Sequence, residues 1–321
     1  MALADMQVYN QEIQGNTLEM LGQRIDAFNQ ASGGSIVLSS AAFEGDFSKE
    51  SFFNQIASAQ RRVDRHAAIA SQASTALTQG ENVGVKVAGG FGPILFEPAQ
   101  MTYLQKNPGE AITAISSGFA DALMADQLNT AVASATAAVE NQASLVNDVS
   151  ATAGITQVAL NNSHAKFGDM SQLIVADVMT GSVYHRLVSE ALTNTSQLFT
   201  SSNVTVVELL GKTYIVSDIP ALYEAGVPNK DKVLSVVANG IIVDNSSDIV
   251  TNMETSNGNT RIETTWQADY TFGIKNKGYS WDVTNGGASP TDAELVTGSN
   301  WDKSVTEDKH TLGTLCIGDA A

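Results

Sequence analysis

Polar and apolar residues alternate from Arg261 to Lys275 with a period of two. Ile262, Thr264, Trp266, Ala268, Tyr270, Phe272 and Ile274 share one face. Arg261, Glu263, Thr265, Gln267, Asp269, Thr271, Gly273 and Lys275 share the other. This pattern predicts a half-buried β-strand. At about 3.3 Å per residue the strand reaches roughly 45–50 Å, well beyond the usual length of about 5–6 residues. A second pattern, at helical spacing, runs through Ile112, Ile115, Phe119, Leu123, Leu128, Val132, Ala135 and Val139. It follows Asn107-Pro108-Gly109-Glu110, with Asn as N-cap, Pro at the first position and Glu at the third. The two signals predict one helix from residue 108 to about 145, a rod of roughly 55 Å.

Shorter patterns fill the rest of the chain. Leu18, Leu21, Ile25 and Phe28 predict an amphipathic helix over residues 8–30. A Ser32-Gly33-Gly34-Ser35 break follows it, which suggests an arm rather than a core element. A second helix is expected near Ser51–Ala70, with Phe52, Phe53, Ile56 and Val63 on one side. From Gly80 to Pro98, Val83, Val85 and Val87 alternate, Gly89-Gly90 offers a bend and Ile94–Phe96 returns; this reads as a projecting hairpin. After Gly168, strands are expected at Leu173–Val175, Val204–Leu210 and Thr213–Val216, with a helix over Ser182–Leu192. Val233–Val237 and Ile241–Val243 flank Asn239-Gly240, a hairpin signal. The tail carries Trp281 and Trp301 and closes with a short apolar strand near Leu312–Ile317.

Composition narrows the functions such elements can serve. Of the 321 residues 43% are hydrophobic, so a real core is expected, but only 16% are charged, below the usual quarter. Ala, Ser, Thr, Asn and Gly fill the difference, and small polar surfaces cost little to desolvate against other proteins. The formal net charge is −17, and no Lys or Arg occurs between Lys106 and Lys166. Such a chain repels phosphate, which argues against tight nucleic-acid binding but not against enclosing nucleic acid. Cys316 is the only cysteine, so neither an intrachain disulfide nor a cysteine-based metal site can form. No signal peptide or apolar run near ~20 residues is present, so a soluble chain made inside the cell is expected. The sequons at Asn161, Asn194, Asn203 and Asn245 read as chance matches.

Catalytic equipment is sparse. His66, His164, His185 and His310 are scattered without ligand spacing. His164 beside Asp169 could form half of an acid–base pair, but a loop histidine is favoured. Ser182 lacks the second glycine of a nucleophile elbow and reads as a helix N-cap. The run Ala88-Gly89-Gly90-Phe91-Gly92-Pro93 has no following Lys-Ser/Thr, so it is not a phosphate loop. Asp244, Asp248 and Glu254 have no cation-loop spacing. No cofactor or metal is expected. Arg61, Arg62 and Arg65, half of the six arginines, form the one basic cluster. They are either a solvated helix face or an intersubunit contact with acidic residues of a neighbour.

The order of these parts, and two stretches in particular, resemble a known family. LIVADVMTGSVYHRLVSEAL followed by LLGKTYIVSDIPAL is similar to the axial-domain core of the HK97-fold major capsid protein of tailed bacteriophages. Leu210-Gly211-Lys212-Thr213-Tyr214-Ile215-Val216-Ser217-Asp218 resembles that family's Gly-basic-x-hydrophobic-x-Val-x-Asp run. Lys277-Gly278-Tyr279-Ser280-Trp281-Asp282 resembles the end of its peripheral sheet. The resemblance covers roughly residues 35–282. It implies an α+β, HK97-like fold with an N-terminal arm over 1–35 and an extended-loop region with the projecting hairpin over 36–105. A spine helix of the peripheral domain is implied over 106–165, and an α/β axial domain over 166–238. The peripheral-domain β-ribbon and the tail take 239–321.

The function implied is a non-enzymatic shell protein of the virion, assembled in the host cytoplasm as hexamers and pentamers into an icosahedral capsid that encloses phage DNA. The chain starts with its own methionine and shows no charged helical prefix, so a separate scaffolding protein is expected beside the portal. Lys86 is the hairpin's only lysine, but its place in the alternation gives it a solvent-facing role rather than that of a crosslinking residue. Two alternatives stand beside this reading: an encapsulin-type nanocompartment shell, and a filament or surface-layer protein.

Overall fold

The computed structural model describes residues 3–39, 41, 43–53, 59–96, 108–194, 212–245, 248–256 and 263–320. Two sheets dominate, and the long strand predicted from its alternation is the axis of the first. That sheet has the order β1 (Ile36–Ser39), β9 (Ile241–Asn245), β11 (Glu263–Asn276), β3 (Gln79–Phe96) and β2 (Phe47–Phe53). On one side β11 pairs with β3 along nearly its whole length. On the other it pairs first with β10 (Val250–Ser256) and then with β9. Thr264, Trp266, Ala268, Tyr270, Phe272 and Ile274 are all buried on one face, as the period of two requires. Gly273 breaks the polar face for a steric reason: a Cβ there would lie 1.9 Å from the Phe43 ring, which covers the strand at that point.

The apolar face of this sheet packs on α2 (Pro108–Glu140), a helix of 33 residues and about 50 Å. Phe119 meets Trp266 edge-on at 5.4 Å between centroids, and Phe91 closes the cluster at 5.3 Å from Phe119. The helix stops five residues short of the expected end, and Ala143–Leu145 turns into β4 (Val146–Asp148). The N-terminal helix α1 (Leu3–Ala31) lies along α2 rather than standing off as an arm. Ile13, Leu21 and Ile25 are buried in the main core, and Arg24 pairs with Asp121. Leu18, expected on the inner face, is instead 39% exposed because Thr17 takes the inner position.

The second sheet has the order β4, β14 (Gly313–Asp319), β8 (Lys230–Val237), β5 (Ile174–Met179) and β6 (Thr213–Val216), with β7 (Tyr223–Glu224) beside β8. The terminal strand β14 therefore joins this sheet and not the ribbon that precedes it in sequence. One face of the sheet belongs to the main core with Leu234, Val236 and Leu315. The other is covered by α3 (Gln157–Ala165) and α4 (Gly181–Asn194), through Leu160, Val183, Leu187, Val233 and Cys316. Elsewhere, β12 (Tyr279–Trp281), followed by the short helix α5 (Val283–Gly286), pairs with β13 (Trp301–Lys303), setting Trp281 and Trp301 4.9 Å apart. Leu173, expected within a strand, is 48% exposed in the turn before β5. The expected strand at Val204–Leu210 lies outside the described residues.

Three local expectations fail, each for an identifiable reason. The described residues of Ser51–Ala70 include no α-helix: Phe47–Phe53 is β2, and none of residues 59–70 is α-helical. Gly80–Pro98 is not a hairpin, because Gln79–Phe96 is one continuous strand. Gly89 keeps it flat under the Tyr270 ring, where a Cβ would come within 2.5 Å. Gly92-Pro93 forms a bulge between Phe91 and Ile94, opposite Gln267, where a missing N–H does no harm. Asn239-Gly240 is a genuine turn, with Asn239 at φ 53°, but its flanking strands do not pair. Strand β8 belongs to the second sheet and β9 to the first, so the turn hands the chain from one to the other.

Candidate assembly surfaces

The excursion from the body is the connection between β2 and β3. The two strands pair from Phe47↔Val85 to Phe53↔Gln79, and residues 54–78 join them. Every described residue from 59 to 78 is exposed, including Val63 at 65% and Ile69 at 105%. None of the described residues covers these apolar side chains. Arg61, Arg62 and Arg65 sit here, on irregular chain and a turn rather than on a helix face, and form no ion pair among the described residues. Beside them the Asp64 carboxylate accepts from the His66 N–H at 2.9 Å and shapes a local turn.

A cavity of about 450 Å³ opens between α2, the segment Ile219–Ala221 and the short helix α6 (Asp292–Leu295). Its lining includes Asp126, Thr130, Ile219, Ala221, Asp292 and Val296. The Tyr270 hydroxyl donates to Asp126 Oδ2 at 2.8 Å, tying the cavity to the ribbon. Burial pushes the Asp126 carboxyl above the ordinary carboxylate value, the Tyr270 bond pulls it down and the Asp292 charge pushes it up again. Sequence reading missed this pair: nothing along the chain indicates that Asp126 and Asp292 meet. The only available signal was the basic-free stretch on the helix, which leaves Asp126 without a local counterion.

The remaining sequence candidates resolve into structural roles. His164 is not a loop residue but lies buried on α3, with Nε2 2.9 Å from Asp177 Oδ1 and 3.1 Å from Ser235 Oγ. Asp169, its expected partner, faces Lys309 instead at 3.3 Å. Both oxygens meet the same ring nitrogen, so the His–Asp–Ser group has no relay geometry. Burial pulls the nearby Lys212 ammonium down, while Asp177 acts in the opposite direction. Its Nζ donates to the Ile174 carbonyl at 2.6 Å. Burial pushes the lone Cys316 thiol up to about 12, which makes it unreactive.

Ser182 lies inside the first turn of α4 rather than capping it. The cap is Asp218, whose Oδ1 accepts from the Gly181 N–H at 3.0 Å. Asp244 pairs with Lys275 at 2.9 Å and Asp248 with Lys86 at 3.4 Å, while Glu254 is exposed on β10. The three acids thus do not converge, and no group among the described residues could hold a metal ion. No described helix is long and apolar enough to cross a membrane.

The profile of a family described as Gp13-like, major capsid protein 13-like, matches residues 5–315. Among solved structures, the chain is similar to the capsid asymmetric unit of cyanophage Pam1, with a TM-score of 0.53 at 11% identity over 89% of this chain and 88% of that one. A structure from Microbacterium phage Oxtober96 gives 0.52 at 9% identity, over 90% of each chain. The head structure of Helicobacter pylori bacteriophage KHP40 gives 0.51 at 8% identity, over 89% of each chain. No curated protein matches in sequence. At these identities the likeness carries the fold, an α+β arrangement of the HK97 kind.

Proposed function

The chain belongs to the Gp13-like family of major capsid proteins, and from that premise we propose that its copies close, as hexamers and pentamers, into an icosahedral shell around phage DNA. The observation that supports this most is the connection between β2 and β3, whose described residues are all exposed and carry apolar and basic side chains that no other described residue covers. On this reading the connection is the extended loop, and Arg61, Arg62 and Arg65 lie over a neighbouring subunit. The first sheet with α2 serves as the peripheral domain and its spine, and the second sheet with α3 and α4 as the axial domain. The −17 charge keeps the inner wall from gripping DNA, so the polymer is enclosed rather than bound. The role is structural rather than catalytic. Assembly takes place in the host cytoplasm, with a scaffolding protein and a portal as partners.

Negative-stain microscopy with light scattering tests this, on the chain expressed alone and together with its genomic neighbours. Closed shells, flat sheets or hexamer rings are the expected products. A stable monomer under every condition overturns the proposal, and filaments replace it with another mode of assembly.

A further inference from the structure

The cavity beside α2 has a composition that its own chain does not answer. Asp126 and Asp292 face it, and neither forms an ion pair among the described residues. Asp126 Oδ2 is held by the Tyr270 hydroxyl, and Oδ1 accepts no hydrogen bond from them. The helix that carries Asp126 has no basic residue, since none occurs from 107 to 165. Apart from the polar, uncharged Asn129 and Thr130, the rest of the lining, including Ile219, Ala221 and Val296, is apolar. An acidic pair above an aliphatic floor fits a side chain with a long apolar stem and a planar cationic head.

The same chain displays such side chains. Arg61, Arg62 and Arg65 are exposed and form no ion pair among the described residues. They do not occupy the cavity of their own chain. Strand β3 runs ten residues from Gly89, which lies under Tyr270, to Gln79, where the loop is rooted, a distance of about 33 Å. The loop therefore leaves the sheet at the end away from the cavity. We infer that the cavity between α2 and α6 receives the arginine-bearing loop of a second copy, with one of these arginines bridging Asp126 and Asp292. This rests on the shell-forming reading above, and names the place where the loop of one copy docks on the next. A guanidinium there relieves the mutual repulsion of the two carboxylates, and the exposed Val63 extends the aliphatic contact.

Two experiments on the full chain, under conditions where the unaltered protein assembles, test the contact. Reversing one side, by Asp126→Lys with Asp292→Lys or by Arg61→Glu, Arg62→Glu and Arg65→Glu together, is expected to lower shell yield by about tenfold or more. Combining all five changes in one chain is expected to recover most of that loss. Where a reversed variant fails to fold, mild replacements locate the contact instead. Arg62→Cys and Asp292→Cys both alter exposed positions, and Cys316 is buried. Oxidising assembled shells that carry both is expected to give a ladder of covalent multimers, and mixed shells of the two single variants are expected to give dimers. Shells that form normally without either product overturn the docking site and leave the capsid reading intact. A link within one chain also overturns it, by placing the loop in its own cavity. Failure of the unaltered protein to assemble removes both readings together.

Discussion

The two sheets handle burial and charge in opposite ways. The ribbon sheet has one dry face and one open face, so β11 alternates except where Phe43 covers Gly273, and its charged residues stay on the open side. The second sheet is covered on both faces, and β8 is buried from Asp231 to Val237 without alternation. Charge inside it is tolerated only with partners. Lys232 is clamped by Glu140 at 2.8 Å and Glu224 at 2.9 Å, Asp231 meets Arg186 at 3.4 Å, and Asp177 meets His164. The first sheet therefore depends on aromatic packing, and the second on buried polar pairs as well.

Removing the keystone of each sheet tests that contrast. Trp266→Ala empties the contact between ribbon and spine helix, where Trp266 is fully buried against Phe91 and Phe119. It is expected to cost about 3–5 kcal/mol in urea unfolding, the largest effect of any single change here. In the second sheet, Asp177→Ala takes the buried carboxylate away from His164 Nε2 and is expected to cost about 3 kcal/mol. Replacing Asp177 and His164 together with apolar residues should cost less than the sum of the two single changes, because neither is then left facing a buried group that has lost its partner. Additive losses in that cycle remove the distinction between the sheets.

The clamp on Lys232 sharpens the contrast through pH. Burial lowers the Lys232 ammonium, and the bonds to Glu140 and Glu224 more than reverse this, for a net rise. The hydrogen bond and charge of Lys232 hold the Glu224 carboxyl below its ordinary value. A carboxylate depressed on folding contributes stability above its unfolded pKa and loses it as pH falls through the folded one. Lys232→Met is thus expected to cost about 1 kcal/mol at neutral pH, with the gap from the unaltered protein closing on acidification below about pH 4. Thermal melts across pH 3–7 read this directly, and a constant gap refutes it.

The same contrast explains which elements are legible in the sequence alone. A sheet with one open face writes its geometry into the sequence, so β11 and the stripe of α2 were legible residue by residue. The failures fell where glycine and proline serve packing rather than turning. Gly89 lies flat under Tyr270 and Gly92-Pro93 makes a bulge, yet in sequence both look like a bend. Asn239-Gly240 was correctly a turn, but no local signal says that its arms enter different sheets. Phe52 and Phe53 share a helix face only if no partner strand is known, and that partner begins at Gln79. The arginine cluster was visible as composition, whereas the cavity opposite in charge depends on long-range contacts among α2, Ile219–Ala221 and α6.

The smallest expected effect separates stability from assembly. Asp126 is the acid on the ribbon side that lacks the partner every buried acid of the second sheet possesses. Burial above all, with the charge of Asp292, raises its carboxyl in the folded chain. A carboxyl raised on folding penalises the folded state above the folded pKa, and the penalty fades as pH falls toward the unfolded value. Asp126→Asn keeps an acceptor for the Tyr270 hydroxyl and removes the charge. It is therefore expected to stabilise the unassembled chain by less than about 1 kcal/mol at pH 7, with the gain vanishing on acidification. The same change should weaken assembly, because the arginine of a second copy then finds only Asp292. Opposite signs in the melt and in the shell yield mark Asp126 as an acid kept for a partner; a variant that melts lower and assembles normally marks it as part of the ribbon's packing alone.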